Sequence, residues 1–94
     1  DGSQTRDFTH VRDTVYAVIL AGESKNVGHG EVINIGAGKN VSVNEIAKMI
    51  GGKVEYIAPR MEPKHTLADN RKAKELLGWE PTVSIEEGIA EFLR

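Results

Sequence analysis

The chain has no cysteine, so it can form neither a disulfide nor a thiolate metal site. Its three histidines, His10, His29 and His65, are far apart in sequence and form no His-x-x-x-His pair. We therefore expect no metal site, and we interpret the histidines as surface or hydrogen-bonded residues. No apolar run approaches twenty residues and no signal-peptide pattern is present, which predicts a soluble, cytoplasmic protein.

The chain also lacks a strong excess of charge of one sign. Its formal net charge is −2, and lysines and arginines alternate with acidic residues instead of forming a basic stripe. This pattern argues against a nucleic-acid partner or an anionic membrane. With 39% hydrophobic and 28% charged residues in 94, the composition predicts one small globular domain of modest stability.

The first third of the chain predicts a strand followed by a helix. Residues 5–11 alternate between two faces, and Asp13 is placed to cap a helix over residues 14–21 that Gly22 would end. That helix is apolar nearly all round, which is typical of a helix buried on every side. Since so short a chain can hardly enclose it, we expect its neighbour to lie outside these residues.

The middle third predicts a βαβ unit. Residues 31–36 form a short apolar strand pattern, and residues 53–58 alternate like a second strand. Between them, Ser42 and Glu45 form a capping box that begins a helix ending at Gly51. Strand, helix and strand at this length predict two parallel strands joined by a right-handed crossover.

Two further helices are expected at the end of the chain. Asp69 or Asn70 is placed to cap a helix that runs through Leu77, and a second capping box at Ser84 begins the last helix. We expect Trp79, in the connection, to pin these two helices together. Four apolar residues of the last helix form its predicted buried stripe: Ile85, Ile89, Phe92 and Leu93.

Two phrases carry a family resemblance. QTRDFTHVRD occupies residues 4–13, and HTLAD at residues 65–69 is followed by KAKELLGWEP at residues 72–81. Together they resemble the C-terminal, substrate-binding part of the extended short-chain dehydrogenase/reductase family, the NAD-dependent sugar-nucleotide epimerases and dehydratases. The resemblance implies that residues 1–94 are an α/β substrate-binding subdomain, and that an N-terminal Rossmann domain lies outside this chain.

The catalytic and NAD-binding motifs of that family are absent. The nearest glycine pattern, at residues 36–38, lacks the third glycine of the dinucleotide fingerprint. Neither tyrosine has the lysine of a Tyr-x-x-x-Lys pair, since Tyr16 is followed by Leu20 and Tyr56 by Arg60. We therefore expect no catalytic residue and no cofactor site in this chain. The resemblance implies NAD in a parent enzyme, bound by other residues, and no turnover by the chain alone.

Three residues are candidates for substrate binding. The resemblance implies that Arg6 contacts the pyrophosphate of a sugar nucleotide, that Arg60 also reaches the phosphates, and that Glu62 accepts from the ribose hydroxyls. An arginine suits phosphate because its planar guanidinium can donate two parallel hydrogen bonds. Arg60 and Glu62 depart from the family pattern, because only Met61 separates the arginine from the acid in this chain. The alternatives are a surface ion pair at Arg6 and a merely solvated loop at residues 59–64.

Two functions from different classes follow. In the first, the chain is the nucleotide-sugar-binding part of an enzyme resembling UDP-glucose 4-epimerase, and its partners are the nucleotide sugar and the missing Rossmann domain. In the second, it is a self-standing, non-catalytic α/β module. Such a module would bind a partner protein, or a second copy as a homodimer, through the apolar helix over residues 14–21.

Overall fold

The computed structural model describes all 94 residues and contains four helices and two short strands. The elements are β1 (Thr5–Arg6), α1 (Val11–Glu23), β2 (Val41–Ser42), α2 (Val43–Ile50), α3 (Arg71–Leu77) and α4 (Ile85–Phe92). β1 and β2 pair antiparallel, with Thr5 opposite Ser42 and Arg6 opposite Val41. The expectation of a small α/β structure is therefore confirmed at this level.

The predicted parallel βαβ unit is not present. Residues 31–36 and 53–58 carry no strand, and the only sheet is the antiparallel pair β1–β2. A strand requires a neighbour that exchanges backbone hydrogen bonds with it, and alternation in sequence does not supply one. At residue 32, for example, the carbonyl accepts from the side-chain Nζ of Lys72 at 2.9 Å instead of from a backbone amide.

The first helix begins earlier than predicted. Its N-cap is His10, whose ring Nδ1 accepts from the amide of Arg12 at 2.9 Å, and the helix continues past Gly22 to Glu23. Asp13, the predicted cap, lies inside the first turn and is only 2% exposed. The predicted strand over residues 5–11 is likewise reduced to two residues, with the helix beginning at the end of that range.

The serine half of each predicted capping box is confirmed, whereas Glu45 and Glu87 accept from the serine hydroxyl and not from the serine amide. Ser42 Oγ accepts from the amide of Glu45 at 3.1 Å at the start of α2. Ser84 Oγ accepts from the amide of Glu87 at 3.1 Å at the start of α4. Gly78 ends α3 in the left-handed conformation, with φ of 66°.

The predicted stripe of α4 is only partly buried. Ile85 and Ile89 are half-buried, whereas Phe92 is 81% exposed and Leu93 is also exposed. The two exposed residues lie at the end of the helix, beyond the segments that pack on its first turns.

A small apolar cluster joins α1 to α3. Its buried members are Ala17 of α1, Ala73 of α3 and Trp79, with half-buried Leu20, Ile33, Ile35 and Leu77 around them. The indole Nε1 of Trp79 donates to the backbone carbonyl of Asp13 at 2.9 Å. Trp79 is therefore a core residue as expected, but it fastens α1 to α3 and not α3 to α4.

A buried carboxylate joins α1 to the start of α4. Asp13 accepts from the amide of Thr82 at 3.0 Å, from its hydroxyl at 2.7 Å and from the amide of Val83 at 3.0 Å. Burial alone would raise the pKa of Asp13, but the hydrogen bonds from Thr82 and Val83 outweigh it and hold the pKa below its ordinary value of 3.8. The carboxylate of Asp13 therefore makes a tertiary contact with residues 82 and 83 and does not cap the helix as predicted.

The molecule is a thin slab in which few residues are buried. It measures 48 × 33 × 15 Å, little thicker than one helix with its side chains. Its accessible surface is 7160 Å², whereas a compact monomer of this mass has about 5,400 Å². α1 contributes to the excess through five exposed hydrophobic residues: Val11, Val15, Tyr16, Val18 and Ile19. The chain does not enclose α1, as its composition predicts.

None of the helices has both the length and the apolar character needed to cross a bilayer.

Candidate functional site

β1 lies between two segments that are distant in sequence. On one side it pairs with β2, and on the other Thr5 forms a parallel bridge with His65. The amide of Thr5 donates to the carbonyl of Lys64 at 2.8 Å, and the amide of Thr66 donates to the carbonyl of Thr5 at 3.1 Å. The hydroxyl of Thr5 also lies 2.7 Å from Nδ1 of His65. These contacts fix the end of the 59–64 loop beside Arg6.

Arg6 lies against this loop, with its side chain 25% exposed. Its Nη1 donates to the carbonyl of Thr5 at 2.7 Å and lies 3.5 Å from the carbonyl of Lys64. Its Nη2 lies 3.5 Å from Oε1 of Glu62. Asp7 forms no ion pair with Arg6, and the acid paired with its guanidinium is the candidate Glu62.

Glu62 has one engaged oxygen and one free oxygen. Oε1 accepts from Nε2 of Gln4 at 2.7 Å and faces Arg6. Oε2 makes no hydrogen bond in the structure. Since an ionised carboxylate offers about four lone-pair positions, Glu62 keeps acceptor capacity for a hydroxyl group.

Arg60 is exposed and makes no hydrogen bond or ion pair, so its full fork of donors faces solvent. Arg60 and Glu62 line one cleft of about 500 Å³. Two residues of extended chain span at most about 7 Å, which keeps both side chains within reach of one small ligand. Arg6 is not among the lining residues, but it contacts the cleft through Glu62. The structure therefore places Arg60 and Glu62 in one cleft and Arg6 beside Glu62, outside the lining.

The cleft lies between the start of the chain, the first turns of α2 and residues 54–64. Its lining is mixed: Asp1, Gly2, Ser3, Gln4, Val43, Asn44, Ala47, Val54, Glu55, Tyr56, Ile57, Ala58, Pro59, Arg60, Glu62, Pro63 and Lys64. A free guanidinium, a carboxylate and an aromatic ring in one cleft can bind an anion, accept from hydroxyl groups and contact a flat apolar surface.

Sequence reasoning missed two residues of this cleft. Gln4 lies two residues before Arg6 and just outside β1, and the two-residue period of a strand was the available signal that both side chains face the same way. Tyr56 donates from its hydroxyl to Oδ1 of Asn44 at 3.2 Å. The only hint of its position was the alternation of residues 53–58, which places Tyr56 on the same face as Val54.

The carboxylate of the HTLAD phrase is held by an arginine outside the cleft. Asp69 accepts from Arg71 Nη2 at 2.6 Å and from the amide of Arg71 at 3.2 Å. The side-chain hydrogen bond from Arg71 lowers the pKa of Asp69 to about 2. Asn70 occupies the N-cap position of α3 without a side-chain cap bond, so Asp69 is the residue that caps this helix.

The glycine turn at residues 36–38 does not suit a dinucleotide phosphate. In a phosphate-binding turn the backbone amides point at the phosphate oxygens. Here the amides of Ala37 and Gly38 donate instead to the carboxylate of Asp7, at 2.9 and 3.0 Å. A second negative group at this position would be repelled by Asp7.

Comparison with known proteins places this chain in a family. Residues 1–92 match the family model described as GDP-mannose 4,6 dehydratase. The chain belongs to this family. It corresponds to the C-terminal part of an extended short-chain dehydrogenase/reductase of the sugar-nucleotide epimerase type, which confirms the resemblance carried by the two phrases.

Relatives within the family are similar over nearly the whole chain. The UDP-glucuronate 4-epimerase of Thermodesulfobacterium geofontis is 44% identical over 97 residues, which cover 95% of this chain and 29% of the relative. The structure of the Thermotoga maritima UDP-glucose 4-epimerase with UDP-glucose superimposes with a TM-score of 0.84 at 42% identity, covering 95% of this chain and 30% of that one.

A third relative was solved with both of its ligands. The UDP-glucuronic acid 4-epimerase of Bacillus cereus, in complex with UDP-glucuronic acid and NAD, matches with a TM-score of 0.83 at 41% identity. The match covers 96% of this chain and 31% of that enzyme. The chain thus spans about a third or less of the length of the relatives it matches, between 29% and 33% for the first two curated ones.

Proposed function

We propose that the chain is the nucleotide-sugar-binding portion of an NAD-dependent enzyme that epimerises UDP-hexoses. The observation that carries the proposal is that Arg60 and Glu62 line one cleft and that Arg6, distant in sequence, lies 3.5 Å from Glu62. The names of the relatives support the same substrate class, since they include UDP-glucose and UDP-glucuronate 4-epimerases.

Each of the three residues has a role that its contacts allow. Arg60, free of partners, binds the pyrophosphate through its guanidinium. Glu62 accepts from ribose hydroxyls through its free Oε2, while Gln4 and Arg6 fix Oε1. Arg6 also adds positive charge beside the phosphates, partly shielded from water. These residues position the substrate and do not react with it.

The reaction itself requires groups outside this chain. NAD, when bound by the rest of the enzyme, supplies the hydride acceptor for oxidation of the sugar. The chain contributes no Tyr-x-x-x-Lys pair, and the amides of its glycine turn at residues 37 and 38 are bonded to Asp7. Expressed alone, it should therefore bind nucleotide and show no turnover.

The uncovered face of α1 is explained by the same assignment. Val11, Val15 and Val18 are exposed on a slab 15 Å thick. We assign the N-terminal Rossmann domain as the partner that covers this face. The rival function, a self-standing interaction module that binds a partner or itself through residues 14–21, rests on this exposed face alone.

The test uses the complete reading frame that encodes this chain, assayed for C4 epimerisation of UDP-glucose and UDP-glucuronate with NAD. Arg60→Ala should raise KM on the order of tenfold, because a charge-assisted contact to phosphate is lost. The matched control is Arg12→Ala, an exposed arginine paired with Glu91 at 2.8 Å, which should leave KM unchanged. A complete protein without activity on either sugar would contradict the proposal.

Association separates the two functions. We expect the isolated chain to bind UDP whether or not it self-associates. Sedimentation that shows a stable dimer, unchanged by UDP and abolished by Val18→Lys, together with no UDP binding, would favour the interaction module.

A further inference from the structure

Asp7, next to Arg6 in sequence, holds together three backbone segments. Its Oδ1 accepts from the amide of Ala37 at 2.9 Å. Its Oδ2 accepts from the amides of Gly38 at 3.0 Å and Ala68 at 3.1 Å. One side chain therefore ties the end of β1 to the turn at residues 36–38 and to the HTLAD phrase.

The backbone at Gly36 and the side chain of Thr9 pack closely around the carboxylate of Asp7. A Cβ at Gly36 would clash with the Cβ of Ala68 and lie 2.8 Å from Oδ2 of Asp7, so only glycine fits there. Thr9 adds a second layer, since its Oγ1 lies 3.4 Å from Oδ1 of Asp7 and accepts from the amide of Ala37 at 3.2 Å. The position of Asp7 relative to these segments is consequently well determined.

The geometry links this carboxylate to the cleft. Arg6 and Asp7 are neighbours, so fixing Asp7 limits the movement of the backbone that carries the guanidinium. The bond from Ala68 fixes the chain just after His65, where Thr5 already holds it. The loop that bears Arg60 is therefore anchored to β1 by two successive contacts at its C-terminal end.

We infer that Asp7 is a positioning residue for the nucleotide site, setting the separation of Arg6 from the loop that carries Arg60 and Glu62. The inference rests on the proposed function, and it assigns Asp7 no contact with substrate. Phosphate recognition by two arginines requires both to be placed within a fraction of an ångström, and a displaced group loses much of its interaction.

Asp13 provides a matched control within the same chain. It too accepts from backbone amides and from a threonine hydroxyl, but it joins α1 to residues 82–83 and has no contact with the cleft. Asp7→Asn and Asp13→Asn therefore make the same chemical change at two comparable hydrogen-bond centres. Thr9→Val and Thr82→Val form a second, milder pair.

The experiment measures KM, kcat, UDP inhibition and thermal midpoint for the four variants in the complete protein. Asp7→Asn should raise KM and the inhibition constant for UDP on the order of tenfold with kcat little changed, because binding common to ground and transition state is lost. Thr9→Val should raise them roughly two- to threefold. Asp13→Asn and Thr82→Val should lower the midpoint at unchanged KM.

Two results would overturn the inference. If Asp7→Asn and Thr9→Val lower only the thermal midpoint, Asp7 supports the fold and not the site. If Asp13→Asn raises KM as much as Asp7→Asn does, the rise in KM reflects general destabilisation of the fold and not a specific role of Asp7. Should the wild-type protein fail to bind any UDP-hexose, the proposed function fails with it, and that result is distinct because it appears without any substitution.

Discussion

Replacement of Asp13 by asparagine should destabilise the chain strongly although it conserves size. The new side chain can keep its Oδ1 as acceptor for the Thr82 hydroxyl, but its amide group would face the amide of Val83, which now donates to Oδ2 of Asp13 at 3.0 Å. One charge-assisted hydrogen bond is lost and one buried donor is left without an acceptor. Together these effects cost roughly 2–4 kcal/mol.

Trp79 makes this cost measurable without an added label. It is the only tryptophan, it is buried, and its indole donates to the carbonyl of Asp13. Urea unfolding followed by tryptophan fluorescence should show a lower midpoint for Asp13→Asn at pH 7. Thr82→Val removes only the hydroxyl bond and should cost about 1–2 kcal/mol, so it reports on the same centre if Asp13→Asn does not fold.

The pH dependence of stability gives an independent check that the ionised carboxylate of Asp13 stabilises the fold. The native pKa of Asp13 lies below 3.8, so its contribution to stability is present above the unfolded pKa and is lost as pH falls through the native pKa. The stability difference between wild type and Asp13→Asn should therefore shrink below pH 3.8. A difference under about 0.5 kcal/mol at pH 7, or one that persists unchanged at low pH, would refute the reasoning.

Two further substitutions and one titration test other parts of the structure. Gly36→Ala places a Cβ against Asp7 and should lower the free energy of unfolding in urea by roughly 1–3 kcal/mol. Its control Gly22→Ala, in a helix with open space around it, should instead stabilise the chain by about 0.5–1 kcal/mol. Equal effects of the two substitutions would contradict the packing described around Gly36. The carboxyl of Asp69 should titrate in NMR at a pKa of about 2 and move up toward 3.8 in Arg71→Ala; an unchanged titration in the variant would remove Arg71 as the cause.

Local signals in the sequence were the reliable ones. The serine caps at Ser42 and Ser84 and the stop at Gly78 depend on contacts within a few residues, and the structure contains all three. The strands expected at residues 31–36 and 53–58 depend on a partner segment, and no pattern inside a strand reveals whether that partner is present in the chain.

Long-range roles of acidic residues were the main failure. Asp13 has the sequence position of a helix cap, yet its carboxylate bonds to residues almost seventy positions away. Asp7 appears in sequence only as a neighbour of Arg6, and its three amide partners come from two distant segments. The candidate site residues Arg6, Arg60 and Glu62 were predicted from the family resemblance, which supplies long-range information that local patterns lack.

The central claim is that Arg60, Glu62 and Arg6 form a nucleotide-binding site, and an NMR titration of the ¹⁵N-labelled chain with UDP tests it most directly. We expect shifts confined to residues 2–6, 43–47 and 54–64, which weaken with salt, require about tenfold more UDP in Arg60→Ala and are unchanged in Arg12→Ala. Shifts spread over α1, or none at millimolar UDP, would contradict the assignment of this cleft.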